Sequence, residues 1–177
     1  MSTQETWNID ASHTLVEFGI RHLMITTVKG RFGGVEGTIK GDMDDLTGAE
    51  VDVKIDAASI DTRDEKRDEH LRSADFFEVE KYPHMTYKST KVTKTGEKTY
   101  TIDGELTIRD VTRPVTLEAE FLGKAVDPWG NEKVGFSAKG KLNRKDFGLT
   151  WNAPLEAGGV LVGDEVTIQL EVQATKA

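Results

Sequence analysis

No cysteine occurs in the 177 residues, which removes disulfides and thiol chemistry and leaves the redox compartment open. Positive charge is also scarce: 23 Lys and Arg stand against 31 Asp and Glu, a net charge of -8. That balance argues against a general nucleic-acid binder, which needs a basic face to displace phosphate counterions. No apolar run approaches the roughly 18–20 residues of a membrane-spanning helix. The opening MSTQETWNID has no basic segment followed by an apolar one, as a secretory leader would. A cytoplasmic location is the expectation from the absent signal, and a periplasmic or extracellular one if a leader has been removed.

Catalytic signatures are missing too. There is no G-x-S-x-G, no P-loop and no G-x-G-x-x-G, and the glycine-rich RFGGVEG opens no helix that could cradle phosphate. The histidines are His13, His22, His70 and His84; none are spaced i,i+3 or i,i+4, and H-E-x-x-H is absent. No metal, cofactor or catalytic residue is therefore assigned, and the chemistry leans against an enzyme.

What the chain does have is alternation. Apolar residues recur at every second position in HTLVEFGIRH, RFGGVEGTIKG, AEVDVKIDA, MTYKSTKVT, KTYTIDGELTI, RPVTLEAEFLG, KVGFSAKGKLN and DEVTIQLEVQA. Each reads as a strand with one buried face, and most links are short enough for antiparallel hairpins. Eight such strands suit a closed antiparallel barrel, which removes sheet edges, although a two-sheet sandwich gives a similar pattern. A chain of this length is most simply one domain, residues 1–177. Gly37, Gly104, Ala119, Ala138 and Gly140 fall on the inward face. Small residues there mean either bends and close backbone approaches or a hollow interior.

One stretch, Ser59 to His84, breaks the rhythm between the third and fourth strands. Thr62 and Glu65 fit a capping box, and from Arg63 to Arg72 eight of ten residues are Asp, Glu, Lys or Arg. A helix that polar has no stripe to bury, so it reads as a solvated lid. Its anchors would be Leu71, Phe76 and Phe77, with weak support from an Asp68–Arg72 pair. Upstream, Gly19 to Val35 contains no acidic residue, while Arg21, His22, Lys29 and Arg31 flank the apolar Leu23-Met24-Ile25. These are either solvated hairpin residues or a barrel mouth suited to an apolar tail with an anionic or polar head.

Several motifs resemble the YceI-like family of lipid-binding proteins. They are W-x-I-D at Trp7–Asp10, H-T-x-V-x-F-x-I-x-H at His13–His22, G-R-F at Gly30–Phe32, and S-I-D-T at Ser59–Thr62. R-D-E-H-L-R-S-A-D-F-F follows at Arg67–Phe77, then Y-P-H-M at Tyr82–Met85 and G-E-L-T-I-R-D-V-T-R-P-V at Gly104–Val115. N-R-K-D-F-G-L at Asn143–Leu149 and V-G-D-E-V at Val162–Val166 complete the set, which spans nearly the whole chain.

The resemblance implies an all-β, lipocalin-like eight-stranded antiparallel barrel with one short helix between strands 3 and 4. Its apolar pore would bind, store or transport a polyisoprenoid or similar long-chain lipid, isoprenoid quinones included. Homodimers are common in the family, and membrane contact would be at most transient. The resemblance also favours the hollow reading of the small residues. Candidate pore lining is then Val16, Phe18, Ile20, Phe32, Val35, Val53, Met85, Tyr87, Ile102, Leu106, Phe121, Phe136 and Phe147. Two rivals stay open: a small hydrolase or isomerase using His22 or His13 as base, and a filled-barrel protein-interaction module.

Overall fold

The computed structural model describes residues 4–152 and 161–177; part of the irregular segment expected at Arg144–Gly159 falls on residues 153–160, outside the described residues. The strands are β1 (Glu5–Ile9), β2 (Leu15–His22), β3 (Thr26–Phe32), β4 (Val35–Asp42), β5 (Asp45–Asp56) and β6 (Ile60–Asp61). After the helix α1 (Glu65–Arg72) come β7 (His84–Lys94), β8 (Thr99–Ile108), β9 (Val111–Val126), β10 (Glu132–Asn143) and β11 (Val162–Lys176).

Among the described residues all pairings are antiparallel, and two staves of the barrel are each made of two strands. β2 lies along most of β11, and β1 lies along the last residues of β11, with Trp7 opposite Lys176. Between them the chain bends through a 3-10 turn at Ala11–His13, capped by the Asp10 carboxylate accepting from the Ser12 N–H. β3 pairs with β2, β4 pairs with β1, and their shared stave breaks at Gly33-Gly34. Eight staves thus close into a barrel, with β11 against β1 and β2. The sandwich is ruled out by that closure.

Inward positions follow the two-residue period except where a bulge resets it. In β8, Tyr100, Leu106 and Ile108 are buried while Thr99 and Glu105 are exposed. In β7 the register slips between Ser89 and Lys91, so Met85, Tyr87 and then Val92 are all buried. Trp7, Ile39, Met43, Leu46, Val92, Tyr100 and Val134 pack together as one cluster that fills one end of the barrel. At the other end β3 takes β6 on its free edge, Phe32 opposite Ile60, and α1 follows directly.

Two expectations for the helix are corrected. Its N-cap is Asp64, whose carboxylate accepts from the Arg67 N–H, rather than Thr62 in a box with Glu65. Thr62 is not free to cap because its hydroxyl donates to the Asp68 carboxylate and accepts from Arg67 Nε at 2.8 Å. Asp68 is itself only 7% exposed and also accepts the Thr62 N–H at 2.9 Å. Turned inward, it is not paired with Arg72, which donates instead to the carbonyls of Ala58 and Ile60 at 3.1 and 3.2 Å. The helix is therefore held by polar contacts, those of Asp68 buried, that its composition does not reveal. Phe76 is buried, and Leu71 and Phe77 pack on the main core, Phe77 edge-on to Phe32 at 5.8 Å.

Candidate functional site

A cavity of about 580 Å3 runs through the barrel, from Leu46, Ala49 and Tyr100 near the filled end to His22, His70, Trp151 and Leu161 at the rim. Eleven of the thirteen residues expected to line a pore do so. β2 supplies Val16, Phe18 and Ile20; β3 and β4 supply Phe32 and Val35; β5, β7, β8 and β10 supply Val53, Met85, Tyr87, Ile102, Leu106 and Phe136. Two are elsewhere. Phe147 is packed solidly in the core under the 3-10 turn Arg144–Phe147, and Phe121 is half-buried beside Phe136, their rings 5.4 Å apart. The β11 residues Val166, Ile168, Leu170 and Val172 also form wall, though the same alternation marked them. They are only half-buried because they face open space rather than packed side chains.

The small inward residues divide by type. Ala119 and Ala138, opposite one another on β9 and β10, lie on the wall and leave it hollow. The glycines do something else. A Cβ on Gly104 would overlap the Tyr87 ring, and one on Gly37 would overlap the Asp52 carbonyl. A Cβ on Gly140 would stand 2.8 Å from the Leu117 side chain and 2.9 Å from the Thr116 carbonyl. Glycine is required there for close approach, so the bland reading is right for the glycines and the hollow reading for the alanines.

Inside, the Tyr87 hydroxyl is already committed. The Tyr87 hydroxyl donates to the Val115 carbonyl at 2.8 Å, and burial, helped by the nearby Asp103 carboxylate, pushes its ionisation well above the usual phenol range. His13 is 62% exposed and off the cavity wall, and the same ring nitrogen, Nδ1, faces both Ser12 Oγ and Asp10 Oδ2. A nucleophile–base–orienter relay needs one partner on each ring nitrogen. That arrangement is a turn cap.

Charge gathers at the rim. Arg21 and His22 are on the wall, and the lid adds Lys66, Arg67 and His70, against Glu17 and Asp64. Lys29 and Arg31 are not on it: they alternate with the buried Gly30 and Phe32 and so point outward, and Arg31 lies 3.9 Å from Asp61. Sequence reasoning missed Arg144, a cation in the wall only 2% exposed. It donates to the carbonyls of Gly163, Leu149 and Trp151 at 2.8, 2.6 and 2.8 Å. Burial lowers its pKa from the ordinary value, and Asp164 at 3.8 Å opposes that shift. His70 sits edge-on to both Phe76 and Trp151, at 5.1 and 4.7 Å, and meets Asp75 through Nε2 at 2.9 Å. The lid is thus stitched to the strip after Arg144 by aromatic contact.

Comparison with known proteins agrees with this architecture. The model of the YceI-like domain matches residues 7–174. Protein YceI of Salmonella newport is 43% identical over 141 residues, covering 80% of this chain and 73% of that one. The crystal structure of Burkholderia cenocepacia BcnA superposes with a TM-score of 0.81 at 21% identity, covering 93% of this chain and 98% of that one. A polyisoprenoid binding domain from Saccharophagus degradans superposes with a TM-score of 0.71 at 15% identity, covering 97% and 98%. The chain, matched by that domain model over nearly its whole length, belongs to the YceI-like family.

Proposed function

We propose that this protein binds a long-chain lipid, with polyisoprenoids as the best-fitting class, and holds it in the barrel without altering it. The cavity carries this reading: about 580 Å3, continuous from the filled end to the rim, with aliphatic and aromatic side chains along its length. Its volume lies within the roughly 300–1,000 Å3 of small-molecule sites. Each methylene removed from water contributes about 0.8 kcal/mol. Ten would supply about 8 kcal/mol, the micromolar scale before the cost of association. No reacting group is needed for that affinity, and the Tyr87 hydroxyl is committed to Val115. The Saccharophagus domain, described as polyisoprenoid binding, shares the barrel and supports the reading at the level of fold.

On this reading the head group rests at the rim beside Arg21, His22 and Lys66, where cations outnumber carboxylates. An apolar tail slides in a uniform tunnel, so a polar end needs a fixed place. Mass spectrometry of an organic extract of the purified protein tests the main proposal. A near-stoichiometric long-chain lipid is expected; an empty protein that also fails to take up polyprenol from detergent would overturn it. For the head group, Arg21→Glu with Lys66→Glu should weaken a polyprenyl diphosphate about tenfold more than the neutral alcohol, with the gap shrinking as salt screens the rim. Equal loss for both ligands would leave a site that reads only the tail.

A further inference from the structure

The β2–β3 hairpin ends in a turn whose composition is at odds with its geometry. Ile25 N–H donates to the His22 carbonyl at 3.1 Å, and the two residues between, Leu23 and Met24, have φ of 54° and 61°. Two consecutive positive φ angles at a hairpin tip are the conformation that Asn-Gly supplies without strain. Here large apolar residues occupy it, and Met24 and Ile25 are 53% and 72% exposed. Both the strained backbone and the exposed side chains disfavour the isolated molecule. The tip is nonetheless held firmly: Leu23 N–H donates to the Leu161 carbonyl at 2.9 Å, and Arg21 Nη2 donates to the Met24 carbonyl at 2.8 Å. A fixed, greasy point therefore stands beside Arg21, His22 and Leu161 on the cavity wall.

We infer that this tip is a docking wedge for an anionic bilayer surface, placing the cavity mouth against the membrane. Charge selects the partner. The protein carries -8 overall, yet Gly19–Val35 has no carboxylate and holds Arg21, His22 and Lys29 toward the tip. Arg31, farther along β3, stands opposite Glu17 and 3.9 Å from Asp61. The neighbouring lid carries both signs, so the basic bias belongs to the hairpin. An anionic lipid surface attracts that one face while repelling the rest, which orients the molecule, and the apolar pair then enters the interface. Trp129, 83% exposed on the turn between β9 and β10, has no such basic surround: Asp127 caps its turn and Lys133 faces Asp127 at 3.8 Å.

The full chain should co-sediment with vesicles of phosphatidylglycerol and phosphatidylcholine, more weakly as salt rises, and poorly with phosphatidylcholine alone. Met24→Ser with Ile25→Ser should reduce vesicle binding at least tenfold while the melting temperature holds or rises and the extractable lipid is unchanged. Trp129→Ser should bind as the parent does. Vesicle binding is read without reference to the cavity ligand, so its failure is separate from failure of the lipid-binding reading. The inference is overturned if the parent ignores anionic vesicles or the double variant binds them normally. It is also overturned if the variant only dissociates a dimer on gel filtration, which would make the tip a contact between copies.

Discussion

Ala138→Phe should abolish lipid uptake, by tenfold or more, while leaving the barrel folded. Ala138 lies opposite Ala119 on one side and Leu170 on the other, and all three are on the cavity wall. A phenyl ring added there extends into open volume. In a packed core the same insertion would cost roughly 1–3 kcal/mol, which for a domain of this size lowers the melting temperature by about 2–4 °C per kcal/mol. Into a hollow it should cost little. Gly104→Val supplies the contrast, because its Cβ would overlap the Tyr87 ring and break the bond from Tyr87 to the Val115 carbonyl. That variant should lose about 1–3 kcal/mol. Thermal unfolding and polyprenol binding on both proteins separate the cases. A destabilised Ala138→Phe that still binds normally would mean the hollow lies elsewhere.

That contrast also marks how far sequence can be read. Alternation identified eight staves and the inward parity of nearly every wall residue, because a period of two is imposed directly by the pleat. It could not separate Gly104 from Ala138. The difference resides in what lies over each, a Tyr87 ring in one case and the cavity in the other. The slip between Ser89 and Lys91 was invisible for the same reason, since a bulge is a property of the pair of strands.

Polar residues were the harder half. Thr62 and Glu65 have the spacing of a capping box, yet the Thr62 hydroxyl is engaged by Asp68 and Arg67, so Asp64 caps instead. A lid counted as solvated by composition proves to be fastened through Asp68 and through Arg72 on the Ala58 and Ile60 carbonyls. Charged side chains bonded to nearby backbone look identical in sequence to charged side chains in water. The aromatics of the lid were legible because their burial is almost a matter of their size. Parity explains the head-group candidates in the same way: Lys29 and Arg31 share the outward phase of β3, whereas Arg21 and His22 stand at the hairpin end where strand phase stops mattering.

The largest loss of stability is expected from Arg144→Met. Arg144 follows β10, within the 3-10 turn Arg144–Phe147, and its guanidinium reaches the Leu149 and Trp151 carbonyls and the Gly163 carbonyl at the start of β11. One side chain thereby ties three pieces of backbone at the rim. Guanidinium stays charged even when burial lowers its pKa, and its planar fork matches several carbonyls at once. Methionine fills similar volume but leaves three acceptors without donors, each costing about 1–3 kcal/mol if water does not replace the lost partner. Removing a buried charge returns some of that, so the net loss should be about 3–5 kcal/mol, a fall in melting temperature on the order of 10 °C. Arg144→Lys should recover only a minor part, because one ammonium group cannot span carbonyls on separate segments. The Leu149–Trp151 strip also carries the ring that packs on His70, so ligand should leave the methionine variant faster than the parent. A methionine variant within about 1 kcal/mol of the parent, with unchanged ligand release, would show that water satisfies these carbonyls and that the rim does not depend on the buried cation.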